Sequence, residues 1–206
     1  MRPATTQSAR SLDPEERARA DVYALASRLF AAPADGDLLR SIGSGDQQAD
    51  RPAENENGVF PQAWRDLVLA AGDADPVAVG DEYHELFVGS GRSEVSLYIG
   101  AYSARSSVDM QLVALRSFLS SHGMQRQAGV HEPEDHIAIL FEIMRYLISE
   151  AQSAVDEQQS FFERFLWSGG VSLCDAICGH PRARFYRKVA LFCKSLLLVE
   201  HDAFNM

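Results

Sequence analysis

Two short segments of this 206-residue chain hold most of the side chains that could bind a ligand. The first, from Tyr83 to Tyr102, is rich in aromatic and acidic residues, and the second, from His131 to His136, combines two histidines with three acids. Carboxylates bind guanidinium groups, and aromatic rings bind apolar side chains. Segments of this composition in a helical protein indicate a recognition surface rather than an active site.

The two histidines of the second segment do not have the spacing of a zinc-binding helix. Zincins place their histidines four residues apart, so that both rings face one metal ion. Here His131 and His136 are five residues apart and Pro133 lies between them. Five residues turn a helix through about 500°, so the two rings would point in different directions. We therefore predict no metal ion at this segment.

Three cysteines offer a second route to metal or redox chemistry. Cys174 and Cys178 are four residues apart and would share a helical face, and Cys193 follows on the next helix. Three thiolates could bind zinc or respond to oxidation. Packing as small core residues is the favoured interpretation, because no fourth ligand has a familiar spacing.

No catalytic motif is recognisable. Gly89 and Gly91 lack the third glycine of a dinucleotide-binding loop, because position 94 is Glu94. The chain also has no Walker-type loop and no carboxylate pair that stands out for acid–base work. We therefore predict a protein that is not an enzyme and has no cofactor. A small helical enzyme with unrecognised acid–base residues is kept as an alternative.

The charge balance excludes a general nucleic-acid-binding protein. The chain has 19 Lys and Arg against 29 Asp and Glu, a net charge of −10 with neutral histidines, and no basic run that could follow a phosphate backbone. Between Val77 and Glu150 there are ten acids and five arginines, hence −5, half of the total. This field could steer a basic partner to the two segments.

The sequence predicts a cytoplasmic protein without an integral membrane segment. The longest apolar runs, such as Leu67 to Ala71 and Leu196 to Val199, are far shorter than the roughly 20 residues of a membrane-spanning helix. An odd number of cysteines in a chain of this size fits a reducing compartment.

Apolar residues recur with helical periodicity along most of the chain, whereas strand-like alternation is nearly absent. The pattern predicts an all-α, single-domain helical bundle of about eight to ten helices. Residues 1–12 are expected to be a disordered tail, residues 13–206 the helical domain, and residues 41–58 a mobile loop, because that stretch is almost entirely polar.

Some helix boundaries can be predicted from capping residues and helix breakers. Asp13 and Pro14 should begin a helix of about 18 residues that ends before Pro33. A helix from about Asp156 to Trp167 should be broken at Gly169-Gly170, and Pro181 should begin the last helix.

The two segments resemble signatures of a known family. The chain reads YHELFVG at residues 83–89, LYIGAY at 97–102 and EPEDHI at 132–137. In order and spacing these runs resemble the Y-x-x-L-F-x-G, P-Y-x-S-x-Y and E-P-x-D-H signatures of the TorD/DmsD family of cytoplasmic chaperones for molybdenum-containing redox enzymes. Leu97 stands where the family usually has proline, and Gly100 where it usually has serine.

The resemblance implies a system-specific chaperone, either a monomer or a homodimer. It would bind the twin-arginine signal peptide and the apoprotein of a molybdoenzyme catalytic subunit, assist cofactor insertion and delay export until folding is complete. The alternative is a metal- or redox-responsive helical protein that uses the three cysteines with His131 and His136.

Seven residues are candidates for binding the peptide. Asp135 and Glu132 would contact the two arginines, because a guanidinium pairs bidentately with a carboxylate. His136 would contact the peptide or hold the loop. The aromatic wall would consist of Tyr83, Phe87, Tyr98 and Tyr102. A structural role remains open for each: Glu132, Pro133 and Asp135 also suit a helix start, and aromatic residues are often core.

Overall fold

The computed structural model describes residues 12–45, 58–89, 91–102, 108–124 and 133–206. In these parts the chain forms nine α-helices, two π-helices and one 3-10 turn. Instead of strands, these residues contain an isolated antiparallel β-bridge between Tyr98 and His136. The predicted all-α architecture is therefore confirmed. The predicted tail, except for Leu12, and residues 46–57 of the predicted mobile loop lie outside the described residues.

Helices account for most of the described residues. The α-helices are α1 Pro14–Ala31, α2 Gly36–Gly43, α3 Val59–Gly72, α4 Pro76–Tyr83, α5 Val108–Ser121, α6 Ile137–Ser149, α7 Val155–Phe161, α8 Trp167–Gly179 and α9 Phe185–Phe204. The π-helices are His84–Val88, which continues α4, and Phe162–Leu166, which joins α7 to α8; the 3-10 turn is Ile99–Tyr102. None of the helices in the described ranges is both long enough and apolar enough to cross a bilayer.

Helix α1 forms as its sequence predicts. The Asp13 side chain accepts a hydrogen bond from the Glu16 amide at 2.8 Å, and the Glu16 carboxylate accepts one from the Asp13 amide at 3.3 Å. This capping box and Pro14 at the first position begin the helix, which ends at Ala31 before Pro33.

One hydrophobic core runs through the bundle. Helix α1 packs along α6, and α9 packs against both α3 and α8. The rings of Tyr23 and Phe30 in α1 meet that of Phe141 in α6, with centroids 6.1 and 6.4 Å apart. All three side chains are fully buried, so burial of apolar surface holds these long helices together.

The predicted break at Gly169-Gly170 is wrong, because α8 runs through both glycines. A Cβ atom at Gly169 would lie 2.1 Å from Ile99 Cγ2, and one at Gly170 would lie 2.9 Å from Leu197 Cδ1. The two glycines let neighbouring elements approach the helix backbone closely. This close packing offsets the roughly 1 kcal/mol that each glycine costs in a helix.

The predicted start of the last helix at Pro181 is also wrong, because α9 begins at Phe185. The carboxylate of Glu82 in α4 accepts hydrogen bonds from the amides of Arg184, Phe185 and Tyr186, at 2.8, 3.0 and 2.9 Å. An acid from another helix therefore satisfies the amides at the start of α9 and lies at the positive end of its dipole.

An ion pair joins α1 to the other end of α9. Arg19 donates to both carboxylate oxygens of Glu200, at 2.9 and 2.7 Å, and the Tyr23 hydroxyl donates to Glu200 at 3.1 Å. Glu200 is buried. Burial is the main cause of the raised pKa of Tyr23, to which the negative charge of Glu200 adds.

We predict that Glu82→Ala lowers the free energy of unfolding by about 1–2 kcal/mol, as expected for a lost helix cap. Urea unfolding monitored by circular dichroism measures this change. Asp81→Ala is the matched control, because Asp81 is the exposed neighbour in the same helix and its side chain has no hydrogen-bonding partner within the described ranges. Equal destabilisation by the two variants would contradict the capping role of Glu82.

Candidate functional site

The first signature run, residues 83–89, serves the fold. The Tyr83 hydroxyl donates to the Phe30 carbonyl at 3.0 Å, and the Tyr83 ring packs edge-on against Phe87 and Tyr186 with centroids 5.1 and 5.5 Å apart. Tyr83 and Phe87 are only 7% and 8% exposed. These two residues, which were predicted to form the aromatic wall, therefore lie in the core and pack against α1 and α9.

Gly89 ends the first π-helix with a backbone conformation that requires glycine. Its amide donates to the His84 carbonyl at 2.8 Å, and its φ is +63°. A Cβ atom at Gly89 would lie 2.2 Å from the Arg92 carbonyl oxygen. The chain then returns, so that the Val95 amide donates to the Leu86 carbonyl at 2.9 Å. The glycine of the signature is therefore explained by this turn.

The other two signature runs pair with each other. The Ile99 amide donates to the Asp135 carbonyl at 3.0 Å, and the Ile137 amide donates to the Leu97 carbonyl at 2.9 Å. Between these bonds the Tyr98 ring packs edge-on against the His136 ring, with centroids 5.2 Å apart. Two predicted recognition segments that are far apart in sequence thus form one structural unit.

Asp135 lies where this unit meets a small recess between α5, α6 and α8. One carboxylate oxygen, Oδ2, accepts a hydrogen bond from the Gly100 amide at 3.2 Å. A serine at position 100, as in the family pattern, would keep this amide. The recess is lined by Ile99, Gly100, Gln111, Leu112, Leu115, Asp135, Leu140, Arg164, Phe165, Ser168 and Gly169.

The recess combines an apolar floor with opposite charges. The guanidinium of Arg164 lies over the Phe165 ring at 5.0 Å, and Asp135 belongs to the same lining. Within the described ranges no ion pair joins these two groups. The lining therefore brings a carboxylate, a guanidinium and apolar side chains close together.

His136 is the N-cap residue of α6. The signature run that contains Asp135 therefore leads into a helix, as its residue types suggested. His136 Nδ1 accepts a hydrogen bond from the Ala138 amide at 3.3 Å, and Asp135 precedes this cap. The His136 residue is 9% exposed, which fits a role in holding the loop. Glu132 and His131 lie outside the described residues.

The remaining two predicted wall residues, Tyr98 and Tyr102, are half-buried. The Tyr102 hydroxyl donates to the Ser96 carbonyl at 2.8 Å, and burial raises the pKa of Tyr102. Both tyrosines therefore offer part of their surface beside the paired segments, unlike Tyr83 and Phe87.

Sequence reasoning missed Glu134 and Arg164. Arg116 in α5 donates from Nε and Nη2 to Glu134 Oε2, at 3.1 and 3.0 Å. Glu134 occupies the variable position of the E-P-x-D-H signature, so the signature itself did not identify it. Arg164 lies in the second π-helix, a conformation that often marks functional sites.

Helix α5 forms one side of the recess, and side-chain contacts fix the position of its carboxyl end. The Phe118 ring stacks on the His122 ring and packs against Phe161 and Phe165. His122 Nε2 lies 2.5 Å from Glu157, and its Nδ1 lies 2.8 Å from the Phe118 carbonyl. Both ring nitrogens face acceptors, so the protonated imidazolium fits this site.

The three cysteines are poorly suited to the metal binding or redox response that the alternative function requires. Cys174 and Cys193 are buried, Cys178 is partly buried, and all three are free thiols. Burial raises the pKa of each, which disfavours the thiolate. Within the described parts of the chain, no group of three or more histidine, cysteine or acidic residues could hold a metal ion.

Comparison with known proteins gives two matches. Residues 55–170, more than half of the chain, match the family model described as nitrate reductase delta subunit. The curated chaperone protein TorD of Shewanella loihica is 27% identical over 190 residues, which cover 86% of this chain and 88% of that protein. The family match includes both paired segments and the recess residues from Ile99 to Gly169.

We predict that the stabilising effect of His122 decreases as pH rises. Burial opposes the charged ring, but hydrogen bonds to the Phe118 carbonyl and Glu157 outweigh it and raise the pKa of His122. The contribution, less than about 1 kcal/mol for such a pair, is complete below the ordinary histidine pKa of about 6.5 and is lost as pH rises through the raised value.

Urea unfolding of His122→Gln and the unsubstituted protein between about pH 6 and about pH 8 tests this dependence. The difference in stability should shrink at the higher pH. His84→Gln is the control, because His84 is exposed and forms no ion pair with a described carboxylate. A stability difference for His122→Gln that stays constant with pH would contradict the assignment.

We predict that Gly169→Ala destabilises the protein by about 1–3 kcal/mol, because the new methyl group collides with Ile99. It should also shift the amide resonance of Gly100, since Ile99 belongs to the paired segment. Gly80→Ala in α4 is the matched control: a Cβ there meets nothing within 4 Å, and the substitution should stabilise the protein by about 0.5–1 kcal/mol. Similar effects of both substitutions would refute the close-contact explanation.

Proposed function

Because the chain belongs to the TorD/DmsD family of molybdoenzyme maturation chaperones, we propose that it binds the twin-arginine signal peptide of a client apoprotein in the recess beside Asp135. By holding this peptide it delays export while the molybdenum cofactor is inserted into the client. The role is a cytoplasmic one and requires binding groups rather than catalytic groups.

The placement of Asp135 supports this proposal most directly. Its carboxylate lies at a recess with an apolar floor, and backbone pairing between two signature runs fixes its position. The Gly100 amide occupies Oδ2, and Oδ1 has no hydrogen-bonding partner within the described ranges. This oxygen is therefore suited to accept an N–H group from a guest arginine.

The floor of the recess suits the apolar part of a signal peptide. Leu112 of α5 is half-buried close to Asp135, and the buried side chains of Leu115, Leu140 and Phe165 complete the apolar lining. A twin-arginine signal peptide presents two guanidinium groups followed by an apolar run. A carboxylate beside an apolar surface matches that order of groups.

The net charge adds a long-range contribution. The overall charge is −10, and half of it lies between Val77 and Glu150. This field raises the rate at which a basic peptide meets the protein, and added salt weakens the effect.

We predict that Asp135→Asn weakens binding of a synthetic twin-arginine signal peptide by about 10- to 100-fold, as expected for the loss of a charged hydrogen-bonding partner. Asparagine keeps an oxygen that can accept from the Gly100 amide, so the melting temperature should change little. Isothermal titration calorimetry and thermal denaturation measure the two quantities.

Asp21→Asn is the matched control, because Asp21 is an exposed acid on α1 and its substitution changes the net charge equally. A peptide with both arginines replaced by lysine should bind the unsubstituted protein weakly, since lysine lacks the planar fork. Equal affinities of the Asp135→Asn variant and the unsubstituted protein would remove Asp135 from the proposed site. Failure of the unsubstituted protein to bind the twin-arginine peptide would overturn the function itself.

A further inference from the structure

The recess beside Asp135 has its acidic group and its hydrogen-bond donors on different elements. Asp135 precedes the N-cap residue of α6, whereas Arg164 lies in the second π-helix and Ser168 lies four residues further on, in α8. Within the described ranges, the Arg164 guanidinium forms no hydrogen bond or ion pair, and the Ser168 hydroxyl forms no hydrogen bond. Arg164 and Ser168, the donor wall, can therefore donate to a guest while Asp135 accepts from it.

Arg164 is held in place without being part of the core. Its guanidinium lies over the Phe165 ring, 5.0 Å from the ring centroid, and a cation in this position is attracted by the face of the ring. Phe165 is buried and packs against Phe118 and Phe161. Arg164 itself is exposed, so its replacement removes a positive charge from the recess without opening the core.

Long-range attraction alone cannot identify a twin-arginine peptide. The net charge of −10 attracts every basic peptide, whatever the order of its residues. Discrimination between such guests needs a local element that repels the wrong ones. Among the described residues that line the recess, Arg164 is the one cation. It therefore repels positive charge at a place where the overall field attracts it.

We propose that Arg164 is a specificity-determining residue of the peptide site. This inference rests on the proposed function. The guest arginine next to the apolar run pairs with Asp135, and the first residue of that run lies against the donor wall. Its main-chain carbonyl accepts hydrogen bonds from Arg164 and Ser168, and its side chain must be uncharged or acidic because a cation there is repelled.

This arrangement selects peptides whose positive charge is confined to one end. A twin-arginine signal peptide has that distribution of charge, because an apolar run follows its two arginines. A uniformly basic peptide has cations on both sides of any arginine that pairs with Asp135, so one of them meets Arg164. The overall field favours the uniformly basic peptide, whereas the local charge opposes it.

The expected effect is modest because Arg164 is exposed. One exposed charge pair changes an equilibrium constant by about fivefold at most, and added salt reduces the effect further. Low salt therefore gives the clearest measurement.

Binding of three synthetic signal peptides, measured by fluorescence anisotropy at low salt, tests the proposal. All three carry both arginines, and they have glutamine, lysine or glutamate as the first residue of the apolar run. The unsubstituted protein should bind the glutamate version about threefold more tightly than the glutamine version, and the lysine version about threefold more weakly. This order is the opposite of the one that the net charge of −10 predicts.

Three variants assign the order to Arg164. Arg164→Gln should reverse it, because Asp135 and the overall negative field then act alone on the guest charge. Arg164→Lys keeps the positive charge and should keep the order. Arg28→Gln is the matched control and should also keep it: Arg28 is an exposed arginine of α1 without a hydrogen bond or ion pair in the described ranges, and its loss changes the net charge equally. Thermal denaturation should show nearly the same melting temperature for all four proteins.

The outcomes separate this inference from the function on which it rests. Suppose that the unsubstituted protein binds the parent twin-arginine peptide. If it then does not prefer the glutamate version to the lysine version, or if Arg164→Gln keeps that preference, the role of Arg164 is refuted and the function stands. Reversal by Arg28→Gln as well assigns the effect to net charge and also refutes the role. If none of the four proteins binds the parent peptide, both the function and the role of Arg164 are refuted.

Discussion

The candidate site depends on the backbone hydrogen bonds between the turn at Leu97–Gly100 and the residues that begin α6. These bonds fix the carbonyls of Leu97 and Asp135 and the amides of Ile99 and Ile137 in one short extended pairing. Because the Asp135 main chain is held on both sides, its carboxylate has a defined place at the recess. An acid on an unpaired loop would lose more conformational freedom when a peptide binds.

The surrounding helices are shaped to keep this pairing in place. Glycine at position 169 lets α8 approach Ile99, and the second π-helix leads directly into α8. Tyr83 at the end of α4 and Phe87 in the first π-helix contact residues of α1 and α9. The aromatic residues of the first signature therefore belong to the same hydrophobic core as the buried apolar residues that line the recess.

The sequence predicts the helices whose ends are determined locally and fails where distant residues decide. Asp13, Pro14 and Pro33 delimit α1 correctly, since capping and proline act within a few residues. Gly169 inside α8 is explained by the close approach of Ile99, and the first amides of α9 are satisfied by Glu82; no local pattern reveals either contact. The family signatures predicted Asp135 and His136 as site residues, but they could not separate buried Tyr83 and Phe87 from half-buried Tyr98 and Tyr102. The pairing of Arg116 with Glu134 links residues 18 positions apart, so only the fold reveals it.

The contact between Arg19 and Glu200 has a consequence for how the protein is made. The two residues are 181 positions apart in the chain, and synthesis on the ribosome proceeds from α1 towards α9. The buried carboxylate and its guanidinium can meet only after the chain has emerged as far as Glu200. Helix α1 can pair with α6 earlier, but closure of the bundle must wait until α9 has been synthesised. A protein proposed to guard the unfinished state of another thus passes through a late unfinished state of its own.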